Sequence, residues 1–168
     1  MSTTNLETAR PATRPRLPEE LVASTSFLIK RLGFAVKDQT MAAYEQAGLS
    51  PYHHAVLAVV DEGPPETQGA IADALGYDRG QLVGLLDELE ERGLVERRRD
   101  PDDRRRHTVR ITPDGKRALA KLRALADQLE NDFLASLDQN ERAQLWRLLR
   151  RLAEQHLPHC APSAPPSK

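Results

Sequence analysis

The sequence predicts a mainly α-helical fold that carries one small β-hairpin. Apolar residues recur with a helical period on either side of residues 94–111, whereas inside that segment they alternate with polar residues, as in a half-buried strand. The charged turn Asp100-Pro101-Asp102-Asp103 divides the segment into two strands. A chain of 168 residues, of which 39% are hydrophobic, is long enough for one domain with its own core.

Composition removes several classes of protein. The single cysteine, Cys160, excludes an intrachain disulfide and is typical of a reducing, cytoplasmic compartment. No apolar stretch approaches the roughly 18 residues that a membrane helix needs, so no membrane partner is expected. The chain has neither a glycine-rich phosphate loop nor the paired-histidine spacing of metalloproteases, which disfavours an enzyme and predicts no cofactor and no metal.

The first part of the chain predicts two helices. Residues 19 to about 46 form the first helix, and Gly48 ends it. Ser50 as N-cap and Pro51 in the first turn start a second helix, which runs to Asp61 and is apolar enough to be buried. The apolar stripe of the first helix consists of Leu21, Leu28, Leu32 and Ala35.

A helix-turn-helix is predicted next. Thr67 is a natural N-cap for a short helix that ends at Leu75 and is closed by Gly76. Asp78 then opens a second helix, with Gln81 at the position of a capping-box partner. The buried face of this second helix is formed by Leu82, Leu85, Leu86 and Leu89. A glycine turn followed by such apolar anchors meets the needs of two steeply crossing helices.

Two long helices follow the hairpin. Thr112 and Pro113 start the first, which runs to about Ser136, and Asp138 with Glu141 starts the last. Both carry leucine stripes, and a single small domain cannot cover so many apolar faces. Pairing with a second copy of the chain is the simplest way to bury them.

Positive charge is concentrated on the hairpin, residues 94–111, which we call the wing. Seven arginines and four acidic residues give the wing a net charge of +3 in a chain whose total is −1. In isolation this pattern also fits a solvated turn with internal ion pairs. Directly after a helix-turn-helix it indicates a winged helix, in which an arginine of the turn enters a narrow minor groove of DNA.

These signals divide the chain into five segments. We expect a disordered tail at residues 1–16, an N-terminal dimerisation helix at 17–50, a winged helix-turn-helix DNA-binding domain at 51–112, C-terminal dimerisation helices at 113–156 and a disordered tail at 157–168.

Three stretches of the wing resemble the MarR family of multiple-antibiotic-resistance-type regulators. They are Gly93-Leu94-Val95-Glu96-Arg97, Asp100-Pro101-Asp102-Asp103-Arg104-Arg105 and Val109-Arg110-Ile111-Thr112-Pro113-Asp114-Gly115. With the turn Ile71-Ala72-Asp73-Ala74-Leu75-Gly76, the resemblance extends over residues 19–156. It implies a homodimeric winged helix-turn-helix repressor that binds double-stranded DNA and is relieved by a small aromatic or phenolic ligand.

The second helix of the helix-turn-helix is the expected recognition helix. Arg79 suits guanine and Gln81 suits adenine, although Gln81 could instead be occupied by the cap. Gly80 and Gly84 would permit close approach to the duplex, or simply weaken the helix. At the start of the preceding helix, Thr67 and Gln68 are candidates for a phosphate contact, with Thr67 equally suited to be an N-cap alone.

Arg105 of the wing matches the arginine of the family's Asp-x-Arg motif, with Asp103 as its orienting partner. Further wing candidates for DNA contacts are Arg98, Arg99, Arg104 and Arg106. Of the arginines at the wing's base, at least one is expected to point to solvent. A winged helix that binds another protein rather than DNA remains the alternative, and a flat salt response in a DNA-binding assay would favour it.

An effector site is predicted near the start of the second helix. The resemblance places effectors where this helix meets the first helix and the DNA-reading lobe. The candidates are Tyr44, Tyr52, His53 and His54. The histidines also fit ordinary surface or capping roles, and neighbouring positions on a helix point about 100° apart, which disfavours joint metal binding.

Overall fold

The computed structural model describes residues 16–63, 66–99 and 107–157, without the side chains of Glu66 and His107. The described part of the chain divides into two compact units, one up to residue 35 and one from residue 36 onward. In chain order the elements are α1 (Glu19–Val22), α2 (Thr25–Gln46), α3 (Pro51–Glu62), β1 (Glu66–Thr67), α4 (Gln68–Leu75), α5 (Arg79–Glu91), β2 (Val95–Arg99), β3 (His107–Ile111), α6 (Pro113–Phe133) and α7 (Gln139–His156). This confirms the predicted mainly α-helical fold with a small hairpin.

The first predicted helix is interrupted. α1 ends at Val22 and α2 begins at Thr25, so the prediction of one continuous helix is wrong at this point. The backbone N–H of Phe27 donates to the Ser24 hydroxyl oxygen at 3.4 Å, as it would to an N-cap residue. The stripe residues Leu21, Leu28 and Leu32 are 39%, 41% and 52% exposed.

The predicted helix caps are confirmed at five starts. The side chains of Thr67, Asp78, Thr112 and Asp138 each accept a backbone N–H from the first turn that follows. Ser50 caps α3 in the same way, and the imidazole of His53 completes a capping box that the sequence did not predict. Gly76 closes α4 with a left-handed φ of 65°, which a glycine adopts without strain.

The wing is part of a three-stranded antiparallel sheet in the order β1-β3-β2. The predicted hairpin is confirmed, with Val95 opposite Ile111 and Arg97 opposite Val109. The sequence did not predict β1, in which Thr67 pairs with Thr108. Through β1, the base of the wing is joined to the start of the helix-turn-helix.

The core lies between α3, α4, α5, α6 and the sheet. Its fully buried residues include Val56, Leu57, Ile71, Leu82, Leu86, Leu89, Val109 and Leu119. The predicted burial of α3 is confirmed for its central residues, whereas Tyr52 in its first turn is 38% exposed.

The start of α6 is hydrogen-bonded to the base of the wing. The Thr112 hydroxyl lies 2.7 Å from the Gly93 carbonyl oxygen, to which it donates. A Cβ at Gly115 would lie only 2.0 Å from the Leu94 carbonyl oxygen, so the first turn of α6 passes too close to the residue before β2 for a side chain to fit without a shift. α6 ends at Phe133 rather than at the predicted Ser136.

α7 differs from the other long helices of its unit. None of its residues, all of which the structure describes, is buried. Trp146, Leu148, Leu149 and Leu152 are 45–57% exposed. No helix among the described residues is long and apolar enough to cross a membrane.

Candidate nucleic-acid interface

The first turn of α5 faces outward while the opposite side of the helix is buried. Arg79 and Gln81 are exposed. Leu82, Leu86 and Leu89, on the other face, are no more than 1% exposed. Because these leucines fix the rotation of the helix, its first turn presents a guanidinium and an amide to solvent in a defined direction.

The cap of α5 leaves the Gln81 side chain unused. The Asp78 carboxylate accepts the backbone N–H of Gln81 at 2.9 Å. A complete capping box also requires the Gln81 amide to return to the Asp78 backbone, and among the described residues this second bond is not formed. The predicted box is therefore only half correct, and the Gln81 amide is available to a ligand.

The two glycines of α5 have different surroundings. A Cβ at Gly84 would meet no atom within 4 Å, so its side of the helix is open. A Cβ at Gly80 would lie 3.2 Å from a carboxylate oxygen of Asp78, within the helix's own cap. Nothing inside the described protein therefore requires a glycine at position 84.

The start of α4 is built by Thr67 and Gln68. The Thr67 hydroxyl accepts the Ala70 N–H at 3.2 Å, which confirms its role as N-cap. Gln68 occupies the first helical position and is half-buried. Thr67 ends β1 and Gln68 begins α4, so the two residues form the junction of sheet and helix.

The arginines at the base of the wing have three different environments. The Arg98 side chain is 62% exposed, and its Nε lies 2.8 Å from Glu96 on the same strand. Arg99 is exposed at the end of β2. The Arg97 side chain is only 19% exposed and pairs with Glu90 and Asp87 of α5. The expectation that at least one of the three points to solvent is confirmed.

The turn of the wing lies outside the described residues. The predicted DNA contacts that fall there are Asp103, Arg104, Arg105 and Arg106. Their roles stay predictions.

Two of the predicted effector residues contact each other. The Tyr44 hydroxyl lies 2.6 Å from Nδ1 of His54, and the rings are stacked with centroids 5.8 Å apart. Burial raises the pKa of Tyr44. Burial also lowers the pKa of His54, and the nearby Arg123 lowers it further against the opposing effect of Asp127. Both shifts favour the neutral form of the ring.

His53 points to α5 instead. The Ser50 backbone N–H donates to its Nδ1 at 3.1 Å, which leaves the ring proton of a neutral imidazole on Nε2. Nε2 lies 3.0 Å from a carboxylate oxygen of Glu88 on α5. Burial lowers the pKa of His53, although Glu88 opposes this shift. The sequence offered no signal for the Glu88 contact, because the two residues are 35 positions apart.

Tyr52 packs against Tyr77, a residue that the sequence analysis did not select. The two rings meet edge to face, with centroids 5.8 Å apart. The four predicted effector residues thus do not form one cluster: Tyr44 and His54 pair across α2 and α3, His53 faces α5, and Tyr52 packs against the turn after α4. Within the described ranges, no three metal-binding side chains come together.

Comparison with known proteins gives a consistent result. The sequence profile of the MarR family matches residues 47–106. A putative transcriptional regulatory protein for the hcr operon of Thauera aromatica is 36% identical over 132 residues, which cover 74% of this chain and 80% of that protein.

Solved structures of CouR, a transcriptional repressor of Rhodococcus jostii RHA1, have the same fold. CouR bound to a 23-mer DNA duplex superposes with a TM-score of 0.73 at 32% identity, over 83% of this chain and 99% of that one. CouR bound to p-coumaroyl-CoA gives a TM-score of 0.67 at 31% identity, over 81% and 96% of the two chains.

Proposed function

The chain belongs to the MarR family of winged helix-turn-helix transcriptional regulators, and on this premise we propose that it is a homodimeric, sequence-specific repressor. It binds a pseudo-palindromic DNA site and is released by a small aromatic or phenolic ligand. In each subunit, α5 enters a major groove and the wing enters the adjacent minor groove. Two-fold symmetry puts the half-sites about one helical turn apart.

One observation carries the DNA-binding proposal: the exposed first turn of α5 beside a basic wing. Arg79 and Gln81 are the side chains for base edges, because a guanidinium pairs with guanine and an amide with adenine. Gly80 and the open side of the helix at Gly84 allow the backbone to approach the duplex. The DNA-bound structure of CouR, a protein of the same fold, supports this assignment.

Phosphate contacts would come from the edges of the same surface. Thr67 and Gln68 are at the N-terminus of α4, where free N–H groups favour an anion. Arg98 is engaged by Glu96, but an exposed ion pair contributes less than about 1 kcal/mol, so exchange for a phosphate costs little. Within the turn of the wing, Arg105 would enter the minor groove with Asp103 as its orienting partner. Arg104 and Arg106 of the turn and Arg99 at the end of β2 would flank it.

The apolar surfaces outside the core support a dimer. The exposed Trp146, Leu149 and Leu152 of α7 are unusual for a lone subunit, as are Leu28 and Leu32 of α2. A second copy of the chain would bury these faces. A dimer would also present two recognition helices, as a pseudo-palindromic site requires.

The effector proposal depends on Tyr44 and His54, with Tyr52 and His53 beside them. A neutral phenol and a neutral imidazole in contact can exchange hydrogen bonds with a phenolic ligand and stack on its ring. CouR, which binds p-coumaroyl-CoA, supports a ligand with an aromatic ring. Ligand binding would change the mobility of the DNA-reading lobes.

The test is binding of the purified protein to its own promoter DNA and to a scrambled duplex, measured across a salt series. We expect a steep salt dependence with tight preference for the promoter, because phosphate contacts release counterions. Arg105→Ala should weaken promoter binding and leave the thermal unfolding midpoint unchanged. Equal binding to both duplexes would contradict a specific regulator, and no binding at low salt would contradict any DNA-binding role.

A further inference from the structure

One arginine of the wing lies on the face of the sheet that packs against the core. Side chains alternate along a strand, so Arg97 shares a face with the buried Val95, and its cross-strand partner Val109 is fully buried. The Arg97 side chain is 19% exposed, whereas that of Arg98 on the opposite face is 62% exposed.

Arg97 is held by two carboxylates of the recognition helix. Its Nε lies 3.0 Å from one carboxylate oxygen of Glu90, and its Nη2 donates to Asp87. The other oxygen of Glu90 accepts the backbone N–H of Arg97 at 3.0 Å. Glu90 thus binds both the main chain and the side chain of one wing residue, while Asp87, one turn earlier on α5, binds the end of the guanidinium.

We infer that Arg97 is a positioning residue, which fixes the wing at a defined angle to the recognition helix and does not contact DNA. This inference rests on the proposed function. Two carboxylates already neutralise the Arg97 guanidinium, so it would attract a phosphate only weakly. The hydrogen bond from the Arg97 backbone N–H to Glu90 also fixes β2. Because α5 and the wing must fit two grooves simultaneously, their relative angle matters for the affinity.

A double-mutant cycle with Glu90 tests the inference by promoter binding. We expect Arg97→Gln and Glu90→Gln each to weaken binding about tenfold, and the double variant to be no weaker than either, because both remove one contact. If Arg97 touched DNA instead, Glu90→Gln would free it and leave binding unchanged or tighter. That result would overturn the inference.

Arg98→Gln and Arg105→Ala provide the matched controls. Loss of an exposed phosphate contact at Arg98 should reduce the salt slope by about one and be additive with Glu90→Gln. In the Arg97→Gln background, Arg105→Ala should have a smaller effect than in the wild type, since a misaligned wing no longer delivers the Arg105 side chain. Full additivity of Arg97→Gln and Arg105→Ala would overturn the inference. It would also be overturned if the urea unfolding midpoint of Arg97→Gln fell far enough to account for the lost binding.

Amide hydrogen exchange separates this inference from the proposed function, since it needs no DNA. If the wild-type protein does not prefer its promoter, the proposed function fails, but the Arg97 contact can still be measured. We expect Arg97→Gln to accelerate exchange in β2 and β3 while α5 keeps its protection, and Arg98→Gln to change neither. Unchanged exchange in β2 and β3 of the Arg97→Gln variant would contradict a positioning role.

Discussion

α5 and α7 are leucine-striped helices of the same unit with opposite surroundings. In α5, Leu82, Leu86 and Leu89 are completely or almost completely buried. In α7, Leu148 and Leu149 are 48% and 45% exposed, and Trp146 is 57% exposed. The sequence pattern of the two helices is the same in kind, but among the described residues only the leucine stripe of α5 is buried.

The difference shows what an amphipathic stripe predicts. A stripe indicates that a helix face will be covered, but it does not indicate by what. Around α5 the cover is local, because α3, α4 and the sheet are close in the same fold. We propose that a second copy of the chain covers the apolar face of α7. The two helices should therefore respond differently to the same substitution.

The largest effect is expected from Leu86→Ala. Truncation of a fully buried leucine leaves a cavity and should lower the free energy of unfolding by about 2–5 kcal/mol. The matched variant in α7, Leu149→Ala, should instead raise the dissociation constant of the dimer. Urea unfolding and analytical ultracentrifugation over a range of protein concentrations measure the two quantities. An equal loss of monomer stability in both variants would contradict the contrast.

The second comparison uses two glycines, Gly115 with crowded surroundings and Gly84 with free space around it. Gly115→Ala forces a methyl group against the Leu94 carbonyl and should cost about 1–3 kcal/mol, typical of overpacking. Gly84→Ala adds a methyl group to open space and should stabilise α5 by up to about 1 kcal/mol. Thermal unfolding of the two variants measures both changes. A stable Gly115→Ala protein would show that α6 does not need its close approach to the wing.

The smallest effect is a pH dependence of the region around α5. Burial lowers the pKa of His53 and of His54 in the folded protein, so the unfolded chain binds protons more readily. Stability should thus be full above the ordinary imidazole pKa of about 6.5 and fall as the pH drops through and below that value. Denaturant unfolding at a series of pH values measures the slope.

Two variants test whether His53 contributes to the pH dependence of stability. His53→Gln should reduce it, because one group with a lowered pKa is removed. Glu88→Gln should increase the loss at low pH, because the carboxylate that favours protonated His53 is gone. A slope that is the same in all three proteins would show that His53 does not contribute.

The order of helices and the hairpin followed from the sequence, because their signals are local. Thr67, Asp78 and Asp138 form caps whose geometry depends on residues two or three positions away. The break at Ser24 was missed, since a single serine hydroxyl outweighs a helical pattern that continues on both sides. β1 was missed because a strand of two residues is too short to show an alternating pattern.

The site was predicted less completely than the fold. Arg79 and Gln81 could be selected because their place in the first turn of α5 is fixed by a cap that the sequence shows. The contacts of His53 with Glu88, and of Arg97 with Glu90, depend on how α5 lies against α3 and β2. The sequence analysis did not separate Arg97 from the neighbouring arginines, so both its place on the inner face of the sheet and its acidic partners required the packed structure.

The short strand β1 has a consequence for the order of folding. β2 and β3 pair across a turn, whereas β1 pairs Thr67 with Thr108, a contact that closes a loop of about forty residues. Closure of this loop costs less chain entropy once α4, α5 and the hairpin have formed within it. We therefore expect the hairpin to form early and β1 to join it last, as the step that completes the DNA-reading lobe.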